Sequence, residues 1–163
     1  MPPWGHKREE ATVVDDTTRR IGFIGPQIPT RIAARLLSCS IEAPSELQIG
    51  RQRPFRFHVR NVAPTSLSID LPEGRRWGWN VGDVPEAGVG RFDPPTEPTR
   101  LAFGPLERRT FTFHWDGLFR ANEEGHDVWT PAPGTHRLTA YVALEDWRTR
   151  GAYATTTIHV IDR

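Results

Sequence analysis

A chain of 163 residues holds one ordinary domain with a core and a tail, and is too short for two full domains. Hydrophobic residues at 37% and charged residues at 25% argue against wholesale disorder, and the longest apolar runs fall far short of the roughly 20 residues a membrane-spanning helix needs. The net charge of +1, from 21 basic and 20 acidic residues, argues against general binding to nucleic acid or to an anionic membrane surface.

Residues 1–28 differ from the rest. Met1 to Arg20 mixes charges of both signs with little apolar content and reads as a tail, and Ile21–Pro29 is apolar but broken by Gly22, Gly25, Pro26 and Pro29. That strip is expected to dock against the body. Thr30–Leu36 offers one or two helical turns with Thr30 as N-cap, although the alternation beyond it favours a lead into a strand. The division expected is therefore a flexible or docking segment over 1–28 and a folded domain over 29–163.

From Leu36 onward the hydrophobic period is two, the pattern of strands with one covered face. Leu37, Cys39, Ile41 and Ala43 alternate with polar residues, as do Phe55, Phe57 and Val59, then Leu67, Ile69 and Leu71, then Trp77, Trp79 and Val81. Gly82 to Pro98 carries Pro85, Pro94, Pro95 and Pro98, which resist both helix and central strand, so a long loop is expected there. Leu101 and Phe103 form a short strand beyond it, and Phe111, Phe113 and Trp115 a clear one. Residues 116–133 read as a second long loop, acidic at Asp116, Glu123, Glu124 and Asp127. Leu138, Ala140, Val142 and Leu144, and finally Ala154, Thr156, Ile158 and Val160, complete the series. About eight strands without intervening helices predict an all-β fold, an antiparallel immunoglobulin-like β-sandwich with an extended N-terminal segment.

The residues that could carry chemistry do not assemble into a known constellation. His6, His58, His114, His126, His136 and His159 form no close pair at metal-ligand spacing, and His58, His114 and His159 alternate opposite the apolar residues of their strands, so they should face solvent. In Asp116–Asp127, Leu118 and Arg120 occupy places where a calcium loop needs oxygen donors. Gly88-Val-Gly90 is too short for a phosphate loop, and Asp15-Asp16 lies in the tail. Cys39, the only cysteine, sits on an apolar strand face and suits a buried structural thiol. No catalytic residue, metal or cofactor is expected.

The segment Trp129–Leu144, in which a Pro-Gly turn leads into Leu138-Thr-Ala-Tyr-Val142, resembles the late strand of bacterial immunoglobulin-like domains. Together with Phe55–Asn61, Trp77–Asp83 and Leu106–Trp115, its order over residues 36–162 resembles the BsuPI-type intracellular proteinase inhibitor family. The resemblance implies a sandwich fold and protease inhibition through one of the two long loops. This chain departs from the family at His136, where a tyrosine is usual, and at Pro85–Phe92, where a Gly-x-x-Val-Trp hairpin is usual. His136 is expected to act as a corner hydrogen-bonder in the tyrosine's place.

The six tryptophans are the most suggestive functional feature. Trp115 is expected in the core, and the alternation of Trp77 and Trp79 favours core positions for them too. Trp77, Trp79, Phe92, Phe119, Trp129 and Trp147 are the candidate partner-binding residues, because large aromatics beside arginines anchor interfaces and stack on sugars. The function expected is a non-catalytic interaction module presenting the 82–98 and 116–133 loops to a protein partner. Two alternatives are a carbohydrate-binding or cell-surface module and a structural subunit docking by its N-terminal segment. The N-terminus shows no apolar core of an export signal and the lone cysteine permits no internal disulfide, so a cytoplasmic location is expected.

Overall fold

Alternating apolar residues become strands because each strand then covers one face against a neighbouring layer. The computed structural model describes residues 28–85 and 97–162. Their strands are β1 (Leu37–Glu42), β2 (Glu46–Gln48), β3 (Arg53–Asn61), β4 (Leu67–Leu71), β5 (Trp77–Val81), β6 (Val84–Pro85), β7 (Thr99–Phe103), β8 (Arg108–Trp115), β9 (Leu118–Glu123), β10 (His126–Pro131), β11 (Gly134–Val142) and β12 (Tyr153–Ile161). Two short helices, α1 (Thr30–Arg35) and α2 (Trp147–Arg150), flank them. Every run of period two in the sequence is a strand here.

One layer is the antiparallel sheet β1-β3-β8, and the other is β2-β12-β11-β5-β6. A separate antiparallel pair, β4-β7, buries Leu67, Ile69, Leu71, Leu101 and Phe103 in the same core. The fold is an all-β, immunoglobulin-like sandwich. One pairing is not antiparallel: β2 runs parallel to β12, with Leu47 beside Val160. The chain reaches that geometry by passing through the whole domain between the two strands, so no local crossover is needed.

Aromatic rings from both layers interdigitate at the centre. In the first sheet Phe55 lies opposite Phe113 and Phe57 opposite Phe111. In the second, Trp77 and Trp79 face them: Trp79 stacks on Phe113 with centroids 4.7 Å apart, and Trp77 stacks on Phe111 at 5.4 Å. Phe55 completes the column by stacking on Phe113 at 5.2 Å. Ala140, directly opposite Trp79 on β11, and Ala154 beyond it are small, which leaves room for the indole.

At one end of the sandwich a buried asparagine ties two turns together. The Asn61 amide donates to the carbonyls of Thr65 and Gly104, both at 2.8 Å, and its Oδ1 accepts from the Ala63 N–H at 2.9 Å. The side chain thus satisfies backbone groups that the strand ends leave without a ladder partner.

Helix α1 does form, burying Ala33 and Ala34. Its N-cap is Pro29 rather than Thr30, whose hydroxyl instead accepts from the Asp70 N–H on β4. Of the segment expected over 1–28, residues 1–27 lie outside the described residues; Ile28 packs against the core.

Phe113 touches both sheets, so its removal opens a cavity that neither can close alone. Phe113→Ala is expected to lose about 3–5 kcal/mol of unfolding free energy. Urea denaturation should show a lowered midpoint with an unchanged slope.

Candidate interaction surface

The acidic segment expected to be a loop over 116–133 is a β-hairpin. Strands β9 and β10 pair in register from Leu118–Pro131 to Glu123–His126, leaving Glu124 and Gly125 as a two-residue turn. Both turn residues have positive φ, 51° and 82°, the backbone of a type I′ turn whose twist matches a hairpin. Glu-Gly takes the place of the commoner Asn-Gly or Asp-Gly, so the turn signal is faint in sequence.

The hairpin is fastened at its base. The Asp116 carboxylate accepts from the Leu118 N–H at 3.1 Å, and the Trp115 indole N–H donates to the Leu118 carbonyl at 2.9 Å. Gly117, with φ 78°, sits where a Cβ would come within 3.1 Å of Val160 Cγ1, so both the turn and the contact favour glycine. Phe119 meets the edge of buried Trp115 at 5.5 Å and lies 5.2 Å from the His136 ring. His136 Nε2 donates to the Ala132 carbonyl at 2.7 Å, four residues upstream. A carbonyl can only accept, so this bond places the proton on Nε2. His136 is thus the corner hydrogen-bonder that the sequence leads one to expect.

The candidate aromatics occupy three different places. Trp79, only 3% exposed, belongs to the core, and half-buried Trp77 is packed inward on Phe111 and Phe113. Phe119 anchors the hairpin from within. Phe119 lies opposite Thr130, so Trp129, one residue along, is on the other face of the hairpin and half-buried. Phe92 lies outside the described residues.

Trp147, on α2, stacks on Tyr141 with centroids 4.2 Å apart and planes 6° from parallel. Tyr153 meets the same indole edge-on at 5.4 Å, and the Arg148 guanidinium lies 4.9 Å from its centre. Tyr141 in turn lies across Gly78, where a Cβ would fall 2.5 Å from the phenol oxygen. Tyr141, Tyr153, Arg148 and Gly78 were not among the candidates. Their meeting depends on the register of β5, β11 and β12, to which no single segment points.

Histidine placement differs from expectation at one position. His114 and His159 are exposed, but His58 is only 8% exposed. It stands on β3, the middle strand of its sheet, so residues of both neighbours cover it. Its Nε2 donates to Glu42 Oε2 at 3.4 Å, and its Nδ1 shares a hydrogen bond with the Thr110 hydroxyl at 2.8 Å. The His58 hydrogen bond, followed by the Arg56 charge, holds the Glu42 carboxyl below the usual glutamate range. Both ring nitrogens are thereby engaged. Burial pushes the Cys39 thiol up to about 12, which removes the thiolate that nucleophilic chemistry requires.

Comparison with known proteins places this immunoglobulin-like module in a family. Residues 26–161 match the model of a family of unknown function, DUF7974, and the chain belongs to that family. No curated protein sequence matches it. Among solved structures it is similar to the CARDB domain of a Pyrococcus furiosus protein in complex with di-metal ions, at 15% identity and a TM-score of 0.49, covering 78% of this chain and 94% of that one. The solution structure of the same domain aligns at 18% identity and a TM-score of 0.46, over 77% and 94% of the two chains. A mutant β-glucosidase from Listeria innocua in complex with laminaribiose aligns at 17% identity and a TM-score of 0.45, over 77% of this chain; the match spans 16% of the enzyme.

Three measurements check this description. Cys39 should resist Ellman's reagent at pH 8 in native buffer and react fully only in denaturant. The raised thiol value adds a stability contribution that is present below 9.0 and lost as pH rises from there toward 12, so the urea midpoint should fall over that window, and less so in Cys39→Ala. Gly78→Ala should cost about 1–3 kcal/mol by displacing Tyr141, with a matching change in the near-ultraviolet circular dichroism of the Tyr141–Trp147 stack.

Proposed function

We propose that this domain is a non-catalytic module that binds a protein partner through the β9–β10 hairpin. The observation that carries the reading is the hairpin's construction. Among the described residues it hydrogen-bonds as a two-stranded sheet of its own; it is fastened to the body by Phe119 against Trp115 and His136, and bears Trp129 on the face turned away from that anchor. A half-buried tryptophan on a pre-ordered element suits an interface anchor, because little conformational freedom is lost when it is covered. Among the described residues no third strand pairs with β9 or β10, and their outer edges carry backbone groups of the kind a partner strand can satisfy.

The lack of a catalytic role is supported by the environment of the reactive groups. The thiol is held protonated, and the buried histidine has both nitrogens engaged. The aromatic arrangement favours protein over sugar. A sugar platform needs a free ring face, whereas the Trp147 indole is covered by Tyr141 and Arg148, and Trp77 and Trp79 are turned into the sandwich. The likeness to BsuPI-type inhibitors, carried over to function, makes the partner a proteinase and the hairpin the inhibitory element.

The test is capture from an extract of the source cell by the full chain, with a photo-crosslinking residue at Pro131, on the Trp129 face of the hairpin, and, as a control, at Thr157 on the outer face of β12. A partner should crosslink from position 131 and not from 157. Trp129→Ala should weaken its binding by about 2 kcal/mol or more while cooperative unfolding is retained. Binding indifferent to Trp129→Ala would overturn the proposal.

A further inference from the structure

Between the two short helices lies a cleft of about 440 Å³ lined by Arg31, Ile32, Arg35, Asp146, Thr149 and Arg150. Arg31 and Arg35 stand four residues apart on α1, and therefore on one face of it. Arg150 comes from the end of α2. Three arginines thus line the cleft, with Asp146 as the one acidic residue among its lining residues. The protein's other exposed arginines include several in ion pairs, such as Arg56 with Glu42 and Arg100 with Asp70, yet Arg31 and Arg35 have no carboxylate partner among the described residues. Like charges gathered in a concave site raise the local potential and attract an anion.

The walls of the cleft are held in place. Helix α1 is seated by buried Ala33 and Ala34 and by the Thr30 hydroxyl against the Asp70 N–H. Helix α2 is seated by buried Leu144 and Ala152 on either side, by the Tyr141–Trp147 stack, and by Gly151 at φ 71°. Arg150 Nε donates to the Glu145 carbonyl at 3.2 Å, which orients its guanidinium and leaves its terminal nitrogens to donate elsewhere. Fork-shaped guanidinium groups on rigid supports match the oxygens of a phosphate group two at a time. The Thr149 hydroxyl supplies a neutral donor, and Ile32, 46% exposed, an apolar rim for the rest of the ligand.

The geometry points to a binding site for a phosphate group in the cleft between α1 and α2, with Arg31, Arg35 and Arg150 as its ligands and Asp146 as the group that tempers its affinity. The site is separate from the hairpin and does not rest on it. The phosphate can arrive free in solution or on a lipid headgroup.

The full chain is titrated calorimetrically with inorganic pyrophosphate in low-salt buffer at pH 7, and sedimented in parallel with vesicles containing phosphatidic acid. Saturable binding is expected that weakens as salt is raised. Arg31→Gln and Arg35→Gln should each weaken it roughly tenfold, the loss of one charge-assisted contact. Arg60→Gln, on the exposed face of β3, should leave it unchanged. Asp146→Asn should tighten it; asparagine tolerates the left-handed backbone at this position, φ 56°, so the helix start is preserved. This gain is not what a merely structural role for Asp146 predicts. Arginine-dependent binding to pyrophosphate assigns a soluble phosphate, and the same dependence seen with vesicles alone assigns a lipid-borne one. The proposal is overturned if neither probe binds, or if binding is indifferent to Arg31→Gln and Arg35→Gln.

Discussion

The packing of Trp77 and Trp79 from one sheet between Phe111 and Phe113 of the other is the interaction on which the rest of this molecule depends. Each large ring removed from water contributes roughly 1.5–3 kcal/mol, and ring pairing adds about 0.5–1.5 kcal/mol more. The column crosses the layers, so it also sets how the sheets lie on one another. Once Phe113 is seated, β8 is in register with β3, and Trp115 at the end of β8 is delivered to the end of the sandwich where the hairpin begins.

The hairpin inherits its position from that delivery. Trp115 holds the Leu118 carbonyl and the ring of Phe119, while His136, steadied by the Ala132 carbonyl, packs against both rings. A two-stranded hairpin alone in water is marginal, so its order must come from such anchoring. The opposite end of the fold is built differently. There, a polar side chain, Asn61, completes the hydrogen bonding of two turns. On the outer face of the larger sheet, Gly78 lets Tyr141 lie flat and carry α2 through Trp147. The same helix then bounds the arginine-lined cleft against α1, so packing of an aromatic on one side positions a charged group on the other.

Much of the sandwich was legible in the chain because period two leaves little choice. Phe55-Arg-Phe-His-Val59 and Thr110-Phe-Thr-Phe-His-Trp115 each have one face that must be covered. His136 could be understood from its place after a Pro-Gly turn. The 116–133 hairpin could not, since the Glu124-Gly125 turn lacks the usual asparagine or aspartate and the strands mix charges with apolar residues. His58 shows the limit of alternation: it lies on the outward side as expected, yet the middle strand of a sheet has neighbours that cover even its polar face. Trp79 is a related case, since alternation gives its side of the strand but not whether that side meets solvent or another sheet.

By itself, then, the order of residues determined which segments are strands, which face of each is apolar, and that the lone thiol sits on a covered face. Those properties are local: a side chain's direction along a strand follows from its neighbours in the chain. Only the tertiary structure decided which aromatics are core and which are surface, that Phe119 holds the hairpin to the body while Trp129 lies on its opposite face, and that Arg31, Arg35 and Arg150 share one cleft. These depend on register and layer packing between segments far apart in the chain, whose relative placement is set by the sum of many weak contacts rather than by any one stretch of sequence.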